Sequence, residues 1–392
     1  MDNKNAVQQS GKTILQLMDF LSLFEGQYVV PQGMAYNSYL VKDEKTLVFD
    51  TVDRRFGEEW FANIKAQIGD GPVDYLVVQH MEPDHSANIA AFAERYPSAT
   101  IVSSAQAFVM MKNFFGTDYP DRRIVVKEGD TLPTGKHVFA FVSAPMVHWP
   151  EVTVTFDTTD KVLFSADGFG KFGANDVVDP EGWDCEARRY YIGIVGKYGP
   201  QVQALLKKAS ALEIKTICPL HGPVLSTPEE ISHAVKQYDI WSSYSVETPG
   251  VLIAYTTVYG HTREAVLKLK ELLLKKGCPK VAVADLARDD QPEAVEDAFR
   301  YGKLVLATTT YNMNIFPWMR HFIDHLTERC FQNRTVALIE NGSWMPQAAK
   351  IMRKMLENSK NIRFCENVVT IRSALNAESE AKLEALADEL VK

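Results

Sequence analysis

Read as a pattern of apolar and polar positions, the chain changes character beyond residue 240. Before that point, short apolar runs are stopped by turn-forming residues, and Gln27–Val30, Ser38–Val41 and Thr46–Phe49 predict strands. A helical pattern covers about Glu58–Ile68, and the run Tyr75–Val78 predicts a buried strand. Ile89, Phe92, Ala93 and Tyr96 recur at helical spacing and stop at Pro97, after which Thr100–Val102 returns to strand. Lys136–Val142, Val152–Phe156, Val162–Ala166 and Thr216–Cys218 are further strand-like runs, so this part is mixed α/β.

Ser242–Gly250 is polar and turn-forming, which predicts a linker and a division into residues 1–246 and 247–392. The pattern beyond it is more regular. Near-continuous apolar runs begin at Val251, Val281, Leu304, Val336 and Val368, and each is followed by a helical pattern. One helix carries Ala265, Val266, Leu269, Leu272 and Leu273 on a single stripe and stops at Gly277. Such alternation predicts a parallel sheet covered by helices on both faces.

A length of 392 residues suits two or three domains. The net charge of −8, without a block of about five Lys or Arg, excludes a broad nucleic-acid or anionic-membrane surface. The cysteines Cys185, Cys218, Cys278, Cys330 and Cys365 are scattered and never form C-x-x-C, which argues against a disulfide framework and against a built-in rubredoxin-type centre. Met1–Lys12 is polar rather than a secretory signal, and no run approaches ~18 apolar residues. A cytoplasmic location is expected.

The chemistry gathers in loops that leave strands. Tyr75–Val78 runs into Gln79-His80-Met81-Glu82-Pro83-Asp84-His85, which packs imidazoles and carboxylates so closely that a cation among them is the simplest explanation. His148 lies between two predicted strands, Asp167 follows Val162–Ala166, and His221 follows Thr216–Cys218. Four imidazoles and three carboxylates suit two metal ions. If Asp167 bridges, one ion takes His80, Glu82 and His148, the other takes Asp84, His85 and His221, and open positions remain for a substrate. His137 and His233 stand alone in predicted elements and read as ordinary strand and helix residues.

Beyond the linker, Val251–Tyr255 runs into Thr256-Thr257-Val258-Tyr259-Gly260-His261-Thr262 and then a helix. Hydroxyls and unpaired N–H groups at a helix N-terminus favour a phosphate dianion. Neither G-x-x-x-x-G-K-[ST] nor G-x-G-x-x-G occurs, which argues against a nucleoside triphosphate and a Rossmann dinucleotide. Thr308-Thr309-Thr310-Tyr311-Asn312-Met313-Asn314 and Asn341-Gly342-Ser343-Trp344 leave the third and fourth predicted strands.

The H-x-E-x-D-H run, with a later His, an Asp-Gly turn and a final His-Gly turn, resembles the metallo-β-lactamase fold. Hydrolases of that fold commonly carry H-x-H-x-D-H, and Glu82 stands here in place of the second histidine. The added carboxylate makes the site harder and more anionic, which favours iron over zinc. In this form, and over essentially its whole length, the chain resembles flavodiiron proteins. Residues 257–262 are similar to the T/S-x-T-G-x-T phosphate loop of flavodoxins, with Tyr259 where a second threonine is usual.

The resemblance implies a metallo-β-lactamase-like αββα sandwich followed by a flavodoxin-like doubly wound parallel sheet. It implies two Fe held by the seven ligands, and FMN held by residues 256–262, 309–314 and 341–344. It implies reduction of O2 to water, of NO to N2O, or both, in a head-to-tail homodimer. Electrons would come from a separate donor such as rubredoxin or the reduced coenzyme F420. Tyr198 reads either as a hydrogen-bond donor near the ligands or as an ordinary packing residue. Two rivals, a zinc-dependent hydrolase fused to a flavodoxin domain and an electron carrier with a relic first domain, are opposed by Glu82 and by the intact ligand set.

Overall fold

The computed structural model describes residues 8–9, 23–177 and 182–392. Apart from Gln8 and Gln9, the polar start of the chain lies outside the described residues. Two compact units form, one of Met1–Tyr191 with Pro200–Asp239, the other of Ile192–Gly199 with Ile240–Lys392.

The first unit is a pair of sheets with helices outside them, a mixed α/β sandwich. Among the described residues, one sheet runs Gln8–Gln9, Tyr39–Lys42, Thr46–Phe49, Tyr75–Val77, Thr100–Ser104 and Arg123–Val126 in spatial order. Its pairs from Thr46–Phe49 onward are parallel. The other runs Thr216–Cys218, Val162–Phe164, Thr153–Asp157, Val138–Ser143 and Thr131–Pro133. Here the pair Val162–Phe164 with Thr216–Cys218 is parallel and the rest are antiparallel. Alternate residues of both sheets point inward and meet as one apolar layer, where Phe49 stacks on Phe164 with ring centroids 4.0 Å apart. The parallel strands send their carboxyl ends to one edge, so the loops after Val77, Phe164 and Cys218 open on the same side of the sandwich.

Several elements are not among those predicted from the sequence. Thr100–Ser104 passes straight into the helix Ala105–Phe115, because the Ser104 hydroxyl accepts from the Ala107 N–H and caps the new helix without Gly or Pro. Arg123–Val126, Thr131–Pro133 and the helix Trp183–Tyr190 are likewise additions to the predicted elements. The run Gln27–Val30 shrinks to Tyr28–Val29, paired with Leu23–Phe24 in a short hairpin.

The second unit has the sheet order Val281–Asp285, Thr248–Tyr255, Tyr301–Tyr311, Thr335–Asn341 and then Arg363–Phe364 with Val369–Ile371. These pairs are parallel, and only the short Asn314–Ile315 returns antiparallel on Tyr301–Tyr311. In chain order the sheet therefore reads 2-1-3-4-5, with the switch point between Thr248–Tyr255 and Tyr301–Tyr311. The stripe of Ala265, Val266, Leu269 and Leu273 packs with Leu383, Leu386 and Leu390 of the helix Ala377–Val391 over Ile253, Val305 and Ile339. Thr248 to Gly250, expected in the linker, already belong to the first strand. No helix among the described residues is long and apolar enough to cross a membrane.

Arg334 stitches this unit to the segment that enters it. Its buried guanidinium donates to the carbonyls of Tyr244 (2.8 Å), Ser245 (3.0 Å) and Phe299. Burial pushes the group down to about 10, which leaves it charged at neutral pH. Arg334→Leu leaves those carbonyls without their donor and is expected to cost about 3 kcal/mol of unfolding free energy. Urea denaturation checks this, and an unchanged midpoint would show that the guanidinium is dispensable.

Candidate metal centre and anion cradle

All seven predicted ligands converge at the carboxyl edge of the first unit. His80 and Glu82 sit in the loop after Tyr75–Val77, and the single turn Pro83–Ser86 carries Asp84 and His85. His148 comes from the loop between Val138–Ser143 and Thr153–Asp157, Asp167 follows Val162–Phe164, and His221 follows Thr216–Cys218. The geometry sorts them into His80, Glu82, His148 and Asp167, and into Asp84, His85 and His221, with ligand atoms in each set within 4.8 Å of one another. Asp167 reaches both. Its Oδ2 lies 3.2 Å from His148 Nε2 and 3.6 Å from His80 Nε2, while its Oδ1 lies 3.1 Å from His85 Nε2.

The surrounding hydrogen bonds fix which ring nitrogens face inward. His80 Nδ1 is 2.9 Å from Glu151 Oε1 and His221 Nδ1 is 2.8 Å from the Ala35 carbonyl, so each ring donates outward from Nδ1. In the neutral ring, Nε2 is then a bare lone pair aimed into the site. His80 Nε2 faces Glu82 Oε2 at 3.3 Å, and His221 Nε2 faces His85 Nε2 at 3.0 Å and Asp84 Oδ2 at 3.4 Å. Both Asp84 carboxylate oxygens and Asp167 Oδ1 are buried without a hydrogen-bond partner. Acceptors aimed at acceptors in a buried pocket are costly, and a bound cation turns the same geometry favourable. The donor set of imidazole and carboxylate therefore fits two first-row metal ions, with the harder, carboxylate-rich set around Glu82 suited to iron.

The acid–base balance points the same way. Burial raises carboxylates, yet hydrogen bonds from His148 and His80 hold Glu82 down at about 2, and the neighbouring imidazoles of His85 and His80 hold Asp167 well below the usual carboxylate range. Burial lowers imidazoles, yet the bonds to Asp167 and Glu82 hold His148 up at about 9, and Asp167 and Glu151 hold His80 well above its ordinary value. The pocket draws positive charge, and without metal it takes protons.

Three supporting groups carry no signal in the sequence. Glu151 also accepts from the Met81 N–H at 2.8 Å. Asp50, buried at a left-handed φ of 52°, accepts from the N–H groups of Gln79 (2.7 Å) and His80 (3.2 Å) and pins the start of the ligand loop. Two phenols lie in ring contact with His221 at 5.5 Å, Tyr36 and Tyr190, and the third supporting group is Tyr190, whose hydroxyl is buried without a hydrogen-bond partner. Tyr198 ends the turn Gly196–Tyr198. His137 pairs with Asp157 at 2.7 Å and joins Asp160 in a third grouping away from the seven.

In the second unit the predicted loops line the carboxyl edge at the switch point. Thr256 is buried, and its hydroxyl lies 2.6 Å from that of Thr308, tying the first and third strands together. Thr257 Oγ1 accepts from the Gly260 N–H at 3.0 Å, and Gly260, at φ +99°, turns the chain into the helix His261–Lys275. Any other residue type would be strained there, although space is open around it. Val258 and Tyr259 are exposed, Tyr259 at 90%, His261 lies against Glu264, and Thr262 is buried in the first turn.

The Thr309 hydroxyl is buried without a partner, and Thr310 Oγ1 accepts from the Gln347 N–H at 2.9 Å. Tyr311, Asn312, Met313 and Asn314 form a tight hairpin with Asn312 and Met313 both at positive φ. Asn341 exchanges hydrogen bonds with the Ser373 backbone, and the hydroxyls of Ser343 and Ser373 lie 2.7 Å apart, so the Arg372–Ser373 loop joins the three predicted loops in one cradle. Gly342 packs closely on Pro346, while Trp344 is 71% exposed. Free N–H groups, hydroxyls and exposed Tyr311 and Trp344 suit a ligand with an anionic tail and a flat ring.

The profile described as ODP family beta lactamase matches residues 34–222. The rubredoxin-oxygen oxidoreductase of Megalodesulfovibrio gigas is 30% identical over 345 residues, 85% of this chain and 84% of the relative. The anaerobic nitric oxide reductase flavorubredoxin of Escherichia coli is 28% identical over 370 residues, 91% of this chain and 75% of the relative. Among solved structures, the rubredoxin oxygen:oxidoreductase of Desulfovibrio gigas superposes with a TM-score of 0.90 at 25% identity, covering 100% of this chain and 97% of that one. The flavodiiron protein of Giardia intestinalis gives 0.89 at 23% identity, covering 98% and 95%.

Glu151→Ala removes the acceptor that orients His80 and is expected to lower divalent-ion affinity about 10–100-fold. Competition against a chromophoric chelator measures this, and an unchanged affinity would show that the Glu151 bond does not hold His80 in place.

Proposed function

Because the chain belongs to the flavodiiron protein family, we propose that it is an oxidoreductase that reduces O2 to water, NO to N2O, or both, at a non-haem diiron centre fed through FMN. The observation that carries this reading is the Asp167 carboxylate, which turns one oxygen to each of two sets of inward-facing donor atoms. In this reading His80, Glu82 and His148 hold one iron, Asp84, His85 and His221 hold the other, and Asp167 serves both. FMN would rest its phosphate on the Thr257–Thr262 turn and its ring near residues 308–314 and 341–344. When bound, these groups supply redox chemistry, the flavin taking an electron pair and passing electrons on singly and the irons binding the diatomic and changing valence.

The chain's own residues do the rest. Glu82 supplies the hard carboxylate that selects iron over zinc and disfavours the hydrolase alternative. Glu151 and the Ala35 carbonyl keep His80 and His221 presenting Nε2, and Asp50 keeps the ligand loop from relaxing away from its strand. The buried Tyr190 hydroxyl stands at the edge of the site as a hydrogen-bond donor. Reduction of O2 to two waters consumes four electrons and four protons, whereas coupling two NO to N2O and water consumes two of each.

The proposal extends to partners. The names of the relatives from Megalodesulfovibrio gigas and Escherichia coli support rubredoxin as the electron donor, with the coenzyme F420 as the competing source. A head-to-tail homodimer, a cytoplasmic location and a functional division at residues 1–246 and 247–392 complete the reading. The five cysteines, scattered along the chain and never in C-x-x-C, support a reducing compartment.

Two complementary variants test it. Glu82→Ala is expected to lose iron and turnover of both gases while keeping the flavin spectrum. Thr257→Val is expected to keep iron and to bind FMN about tenfold more weakly. Metal analysis, FMN fluorescence quenching and steady-state assays with reduced rubredoxin read these out, and full turnover in the Glu82 variant would overturn the metal assignment.

The sign of the His148 shift gives a further outcome. With its value up at about 9, the metal-free imidazole is protonated at pH 7.5, and an ion can bind only the neutral ring. Loading ferrous ion at that pH in a weakly buffered indicator solution should therefore release protons. Uptake with no change in indicator absorbance would remove His148 from the ligand set.

A further inference from the structure

Outside the ligand pocket, the first unit holds one more feature beside the metal loops. A cavity of ≈ 30 Å³ lies between the outer face of the second sheet and the helix Gly199–Ala209. That volume exceeds the roughly 10–15 Å³ that a water-sized molecule requires. Its floor is made by Val147, Val154, Leu163, Gly168 and Phe169, with Val202 of the helix above them. The floor residues with side chains are buried, whereas Leu205, Leu206 and Ala209 on the helix are half-buried, so the cavity leads outward along the helix.

Two polar residues reach the lining, and both turn their groups to the backbone. The Ser165 hydroxyl donates to the Gly168 carbonyl at 2.7 Å, and the Tyr238 hydroxyl accepts from the Phe169 N–H at 2.6 Å. A cavity lined this way offers water few partners, so it stays dry and takes small apolar molecules. Its position is the second observation. Val147 directly precedes His148, and Gly168 and Phe169 directly follow Asp167, so the floor is made by the two loops that carry these inward-facing groups.

From this we infer that the cavity is a dry chamber that collects the uncharged diatomic gas and supplies it to the metal centre past residues 147 and 168–169. The inference rests on the function proposed above and adds an entry route for its substrate. O2 and NO partition into apolar spaces while ions and water do not, so the chamber raises the local gas supply and keeps solvent off that side of the ligands.

Crystals of the holoprotein pressurised with xenon should show an anomalous peak against Val147, Val154, Leu163 and Phe169, and absence of xenon there would overturn the chamber. Leu206→Trp fills the outer part, and Ala209→Phe does so from the last turn of the helix if the first variant fails to fold. Either is expected to abolish the xenon peak, leave iron, FMN and kcat unchanged, and raise the KM for gas roughly threefold or more. Loss of xenon with an unchanged KM would overturn the supply role. Failure of the functional reading is a different result, since the unaltered chain would then turn over neither gas while the xenon peak remained.

Discussion

The structure of the first unit depends on an electrostatic conflict. Seven acceptor-rich side chains are brought into one largely buried pocket, where Asp167 faces donor sets on both sides and the outward hydrogen bonds of His80 and His221 leave their lone pairs pointing inward. Left alone, such a pocket would relax apart or fill with protons. The fold prevents the first outcome by rooting the ligand loops on strands and by pinning the main loop on Asp50, with Thr51 donating to the His85 carbonyl at 2.7 Å. The raised imidazoles record the second outcome. Rigidity and charge demand together make the pocket selective for a cation that can satisfy all the donors at once.

The second unit poses the opposite demand. Its carboxyl edge presents the N-terminus of a fifteen-residue helix beyond a positive-φ glycine, together with hydroxyls on adjoining loops, and so it draws negative charge. The buried Thr256–Thr308 contact holds the first and third strands in register at the switch point, where the loops diverge and leave room for a ligand. One chain therefore contains a pocket that draws cations and an edge that draws an anion, each built mainly at the carboxyl ends of parallel strands, with His148 added from an antiparallel one. That shared placement follows from the fold rules of parallel sheets rather than from any likeness between the two units.

Much of this was legible because the decisive residues are adjacent in sequence or end a recognisable strand. His80 to His85 occupy one short loop, and Asp167 and His221 each follow an apolar run, so local patterns mark them. Glu151 was not legible, since its bond to His80 spans 71 positions and nothing near it marks a carboxylate as a ligand support. Asp50 and Tyr190 are hidden in the same way, because their roles exist only after the sheets pair. The helix Ala105–Phe115 was missed for a local reason, a serine cap in place of a breaker. In the second unit the regular alternation carried the topology, but the Arg372–Ser373 loop escaped because its partnership with Asn341 and Ser343 is tertiary.

A charged pocket and a dry cavity can adjoin because the same loops serve both. Strand residues alternate between the two faces of a sheet, and left-handed residues in the loop after Phe164, Ala166 at φ 50° and Phe169 at φ 65°, break that alternation and redirect the side chains. Asp167 turns to the ligands while Phe169, two positions on, turns to the cavity, and His148 and Val147 divide in the same way. The backbone between them is satisfied by the Ser165 and Tyr238 hydroxyls, so the partition leaves Gly168 and Phe169 bonded within the fold. A substrate without charge would then meet apolar surface until it reaches the ligands, and a charged one would be turned away before it. The constraint that makes the metal pocket costly thus also gives the site its outer filter.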